Sequence, residues 1–161
     1  MISSSPGRRA GRSSTNDSRV DDVSFRIVLE SPPAGVDYAL QKGHGSAFET
    51  VQTQRSDGKD LRFEFEASPR LSGSVADFRG PFVQGPAGGR FVYIGIGQFA
   101  GQAGTPFSRR LKIPLRGITV DMVRRASGGA MLEAHVPGTG RDGTPACASV
   151  KEFDGWQVTT R

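Results

Sequence analysis

Arg109, Arg110 and Lys112 fall within four positions, directly after the glycine-rich connection from Gly97 to Ser108 (GQFAGQAGTPFS). Exposed backbone N–H groups, the amides of Gln98 and Gln102, and guanidinium donors from Arg109 or Arg110 suit a carboxylate, a phosphate or an acidic protein side chain. The candidate ligand site is therefore Gln98, Gln102, Arg109, Arg110 and Lys112. It is not a nucleotide motif: GIGQFAG has the wrong glycine spacing for a dinucleotide fold, the G-x-x-x-x-G-K-[ST] order is missing, and no helix follows to offer its N-terminus. A twelve-residue connection between two strands is longer than a hairpin needs, and such loops often carry function.

Other chemistry-bearing residues are sparse. His44 sits in the glycine-flanked turn KGHGS and His135 on the polar side of MLEAHV. Two histidines without a third ligand in sequence reach argue against zinc or iron, and GHGSAF is not a nucleophile elbow. Glu64 and Glu66 share the outer side of one strand, as on any solvated sheet. The single cysteine, Cys147, excludes an intrachain disulfide; set between small residues in PACASV, it reads as a packed strand residue rather than a nucleophile. A reducing cytoplasm fits this cysteine usage. No metal or cofactor is expected.

The formal charge of +5 divides unevenly. Residues 1–20 hold Arg8, Arg9, Arg12 and Arg19 against Asp17, which leaves only +2 for residues 21–161. So weakly charged a body disfavours specific nucleic-acid binding. Within it, Arg79 to Arg125 carries eight cations against Asp121 alone, a net +7 balanced by −5 elsewhere. Sequence neighbours stay close in a β-meander, so separate basic and acidic surfaces are expected. An anionic small molecule or an acidic protein surface is the partner this implies. No run approaches the roughly 18 apolar residues of a membrane span.

Alternation with period two dominates from residue 23 onward. Phe25, Ile27 and Leu29 share one side of VSFRIVLE; Leu61, Phe63 and Phe65 share one side of DLRFEFE; Leu111 and Ile113 point opposite to Arg110 and Lys112. Asp57-Gly58 supplies a hairpin turn, and Pro81 makes FRGPFVQG an edge or irregular strand. One short helix is expected over Thr119 to Ala126, capped by Thr119, stapled by Ile118 and Val123 and stopped at Gly128-Gly129. Residues 1–20, rich in Ser, Gly and Arg, read as a disordered tail without a secretory h-region, and 21–161 as a single β domain. The fold class is all-β: an antiparallel β-sandwich or partly open barrel of about eight strands with one short helix.

The string FRGPFVQGPAGGRFVYIGIGQFAGQAG, followed by SRRLKIPLRGIT and VPGTGRDGTPACASV, resembles a bacterial family known only as a domain of unknown function. The resemblance runs from Val23 to Trp156, and the chain departs from it in having Phe107 where the family pattern carries tryptophan ahead of the paired arginines. It implies no catalytic residue. A looser likeness links the strand order to C2 domains, whose calcium-binding loops would here offer only Asp37. The expected function is a non-enzymatic binding module with its basic loop-and-strand surface turned to an anionic ligand or acidic protein partner. Two alternatives stand beside it: an enzyme of undefined type, a hydrolase for instance, using His44 or His135, and a structural or oligomeric module pairing through the edge at FRGPFVQG.

Overall fold

The alternating pattern gives each strand one apolar side, and two sheets bury those sides against each other. A computed structural model describes residues 21–44, 47–97, 107–140, 143–146, 148–149 and 153–160. In chain order the elements are β1 (Val23–Glu30), β2 (Asp37–His44), β3 (Ala47–Arg55), β4 (Leu61–Ser72), β5 (Val75–Arg79), β6 (Phe91–Ile96), β7 (Arg109–Pro114), α1 (Val120–Ser127), β8 (Ala130–Pro137), β9 (Ala148–Ser149) and β10 (Gln157–Thr160). The first sheet runs β10-β8-β1-β4-β5 and the second β3-β2-β6-β7-β9. The architecture is an all-β sandwich, not a closed barrel. Two neighbouring pairs, β1 with β8 and β7 with β9, run parallel. Strand periodicity is blind to that detail, because it reports faces and not directions.

Between the sheets lies an aromatic core. Phe25 stacks on Phe65 with centroids 4.8 Å apart and meets Phe78 and Trp156 edge-on at 5.1 and 5.3 Å, the offset and T-shaped geometries that ring quadrupoles favour. From the second sheet, Tyr38, Leu40, Ile94, Ile96, Leu111 and Ile113 close over them. Trp156, at the entrance to β10, donates its indole N–H to the Pro114 carbonyl of β7 at 3.0 Å and so bolts one sheet to the other. The Tyr38 hydroxyl is buried with no hydrogen-bond partner among the described residues, and burial pushes its pKa up.

Three local devices fix the topology. Gly58 takes the expected positive φ of 94°, but the Asp57-Gly58 turn does not join a hairpin: β3 lies in the second sheet and β4 in the first. Ser56 explains the crossing. Its buried hydroxyl donates to the Pro32 carbonyl at 2.8 Å, and its backbone bonds Val36 and Gly35, pinning the chain to the β1–β2 loop before it can fold back. In the second device the β3 register shifts beside Leu40, and Gln52 adopts φ 55°. Its amide then mimics a peptide group, donating to the Glu64 carbonyl at 2.6 Å and accepting the Glu64 N–H at 3.2 Å, on the edge of β4 that no strand covers. The third is a bidentate clamp of Arg90 on Asp77, at 2.9 and 3.0 Å, with side chains 19 % and 21 % exposed. It ties β5 to the segment entering β6.

The helix forms as its caps dictate. Thr119 accepts the Met122 N–H at 3.2 Å, Ile118 and Val123 are buried, and Gly128 ends the last turn. Val123 and Ala126 press into the core while Asp121 and Arg125 pair on the solvent side. No helix among the described residues is long and apolar enough to cross a membrane.

Candidate functional site

The register of the second sheet decides which side chains share its outer surface. Ala39 pairs with Gly95, Gly95 with Arg110, Tyr93 with Lys112, Gln41 with Thr50 and Gly43 with Phe48. Since Tyr38, Leu40, Ile94, Leu111 and Ile113 face the core, Gln41, Phe48, Phe91, Tyr93, Arg110 and Lys112 all lie on the opposite side. Gly43, Gly95 and Ala39 leave the floor between them low. Long side chains from β3 and β7, separated by two strands, therefore meet over its middle.

Arg110 is held there in a fixed pose. Its Nε–H donates to Gln41 Oε1 at 2.6 Å, and its guanidinium carbon lies 4.6 Å from the Phe48 centroid and 5.4 Å from that of Tyr93. The Gln41 side chain, 2 % exposed, is itself fixed by donating Nε2–H to the Phe107 carbonyl at 3.1 Å. That arrangement requires glycine at position 95, because a Cβ there would stand 2.6 Å from Gln41 Nε2. Lys112 Nζ sits 4.2 Å above Phe91, and Tyr93 meets Phe48 and Phe91 edge-on at 5.5 and 4.9 Å. Phe107, with φ 66°, closes the loop stem by donating its N–H to the Ile96 carbonyl. The glycine-rich loop thus rejoins the sheet directly beside Gln41 and Arg110.

The basic third of the chain converges only in part. Arg90 is neutralised by Asp77 and Arg125 by Asp121. The Arg90 hydrogen bonds hold the Asp77 carboxyl below its ordinary range. Arg109 is exposed and, by alternation, points away from Arg110. Arg124 lies on α1, which packs against strands of the first sheet, and Arg116 follows β7 at an exposed position. Arg110 and Lys112 remain together, and neither forms an ion pair among the described residues. Gln98 and Gln102 lie outside the described residues, as does Cys147. FRGPFVQG offers no open ladder at Pro81 or Gln84, since Gly43 N–H donates to the Pro81 carbonyl and Gln84 exchanges both bonds with Phe91.

With this geometry in hand, the family model described as "Family of unknown function (DUF5990)" matches residues 23–159. The chain belongs to that family. No curated protein and no solved structure matches it, so the C2-like strand plan gains no support. Membership assigns no chemistry to any residue.

His135 belongs to an ion-pair network that its sequence context does not show. His135 has partners on both ring nitrogens: Nδ1 lies 3.1 Å from Glu30 and Nε2 2.9 Å from Glu133. Glu133 also receives Arg26, which reaches Glu64 as well. Hydrogen bonding to Glu133, then to Glu30, raises the His135 pKa against the opposing effect of burial. Burial works to raise Glu133, but the bonds from His135 and Arg26 prevail and hold it low. Engaged at both nitrogens, the imidazole joins Glu30 to the Glu133–Arg26–Glu64 network and braces the outer side of the first sheet. His44 ends β2, with its side chain outside what is described. No group of three or more metal-ligating side chains occurs among the described residues. Sequence reasoning missed Gln41, Phe48 and Tyr93 as site residues. Gly95 was the available signal, since a glycine inside a strand often marks a close approach.

Proposed function

We propose that the chain is a non-enzymatic binding module whose outer second-sheet surface holds an anionic ligand or an acidic protein partner. The observation that carries this is the pairing of Arg110 and Lys112 on one aromatic surface, with no carboxylate among the described residues to neutralise them. Elsewhere in the fold two partly buried cations, Arg26 and Arg90, have acidic partners, while Lys42, also partly buried, forms no ion pair among the described residues. Two neighbouring cations on one aromatic surface, without a carboxylate partner among the described residues, support an external counter-charge. Ordering of Arg110 in advance lowers the entropy lost on binding. The single Cys147 suits a reducing, cytoplasmic setting for such a module.

The test is binding of poly-glutamate to the wild-type protein and to Arg109→Ala, Arg110→Ala and Lys112→Ala variants over a range of salt. Arg110→Ala and Lys112→Ala should each weaken binding by about 5–30-fold, as losing a charge-assisted contact of about 1–2 kcal/mol implies, and Arg109→Ala should change it little. Unchanged binding in all three variants removes the proposal.

A further inference from the structure

We infer that the occupant of this surface is an extended acidic protein segment, whose carboxylates at alternate positions are taken by the end-on edge of the Arg110 guanidinium and by Lys112. The inference rests on the binding function proposed above and names its partner. Gln41 already holds Arg110 Nε. The side-on fork is therefore closed, and the two terminal NH₂ groups are left as the paired donors, a geometry matched to a planar two-oxygen acceptor. Lys112 lies two residues along the same strand on the same side. At about 3.3 Å per residue the two cations stand about 6–7 Å apart at the backbone, the spacing at which an extended segment repeats its side chains on one side.

The rings argue against single-stranded nucleic acid on the same surface. Base stacking needs a free aromatic face. Phe48 carries Arg110 over its ring, Phe91 carries Lys112, and Tyr93 is wedged edge-on between the two phenylalanines. Two cations without an ion pair among the described residues also offer a small counterion release for a polynucleotide, but one charge for each of two carboxylates on a peptide.

Gln41 is then a positioning residue: it sets which edge of Arg110 faces outward without itself touching the ligand. Binding of the full chain should be measured to a peptide of alternating Glu and Ser, to an isomer with the same glutamates in contiguous blocks, to inorganic phosphate and to oligo-dT. The alternating peptide should bind at least 5-fold tighter than the blocked isomer and tighter than phosphate or oligo-dT. Arg110→Lys, which keeps the charge and loses the fork, should weaken it about 10-fold or more. Gln41→Leu should weaken it several-fold while leaving the slope of affinity against salt unchanged, whereas Lys112→Ala should reduce that slope. Thermal melting verifies that each variant is folded, and Lys112→Ala, on a half-buried side chain of the outer surface, keeps the test available if Gln41→Leu does not fold. Equal binding of both peptides, or full binding by Arg110→Lys, overturns this inference and leaves the broader proposal standing. Tighter binding to oligo-dT, or sedimentation showing a second copy on the surface, overturns it too. Failure of every anionic probe overturns the broader proposal.

Discussion

Gly95→Ala isolates the step on which the outer surface depends. The new Cβ would stand 2.6 Å from Gln41 Nε2, 3.0 Å from its Cδ and 3.2 Å from Phe107 Cβ, all closer than van der Waals contact allows. The Gln41 amide must move, and both its bonds, at 2.6 Å from Arg110 and 3.1 Å to Phe107, are lost together. A bond to a charged donor contributes about 1.5–3 kcal/mol and a neutral one about 0.5–1.5. Water reaches the displaced groups and alanine suits a strand better than glycine, so a net loss of about 2 kcal/mol is expected. For a domain of this size that lowers Tm by about 4–8 °C. Gly89→Ala is the control, since its Cβ would meet nothing closer than Pro86 Cγ at 3.7 Å. In a Gln41→Ala background the Gly95→Ala cost should shrink by at least about 1 kcal/mol, because the clashing group is gone. Additive costs in urea denaturation, or a Gly95→Ala protein as stable as wild type, would refute this explanation of Gly95.

Tyr38→Phe removes a buried hydroxyl that has no partner among the described residues and should raise stability by about 1 kcal/mol in the same denaturation assay; a loss of that size would refute this reading. Asp77→Asn leaves the Arg90 clamp without its counter-charge and should cost about 1–3 kcal/mol, read as a drop in the urea midpoint. The raised pKa of His135 means its contribution is complete below the unfolded value near 6.5 and disappears as pH rises through the folded one, whereas the lowered Glu133 and Asp77 contribute above about pH 4 and fail as pH falls. The Tm advantage of wild type over His135→Gln should therefore be larger at pH 5.5 than at pH 8.5, and melting curves showing the reverse order would contradict the network's assigned role. Thr119→Ala should lower stability by about 1 kcal/mol through loss of the helix cap, with a matching fall in Tm.

The sandwich was legible because burial on one side of a strand imposes an alternation that survives in the residues themselves: Phe25, Ile27 and Leu29, or Leu111 and Ile113, need only be counted. Thr119, Ile118 and Gly128 announced the helix for the same reason, since caps act over three or four residues. Connectivity was less legible. Asp57-Gly58 has the chemistry of a hairpin turn, yet the pairing partner of β4 was settled by Ser56 bonding a loop more than twenty residues away, and local sequence carries no record of that. The site was legible in half. Arg110 and Lys112 stood out as cations opposite an apolar strand side, but nothing local in the chain singled out Phe48, Tyr93 or Gln41. Their gathering depends on register across four strands and on three small residues that keep the floor low. Charge along the chain also overstated the surface, because Arg90 found Asp77 only once β5 and β6 were brought together.

The central claim is that the surface formed by Gln41, Phe48, Tyr93, Arg110 and Lys112 receives carboxylates. It is tested most directly by an NMR titration of isotope-labelled protein with the alternating Glu and Ser peptide, following backbone amides together with the Arg110 Nε–H. Saturable shifts centred on β6 and β7, with the Arg110 Nε–H among the largest, are the expected result. Shifts centred on the outer side of the first sheet, or none at Arg110 while the peptide binds, would contradict it.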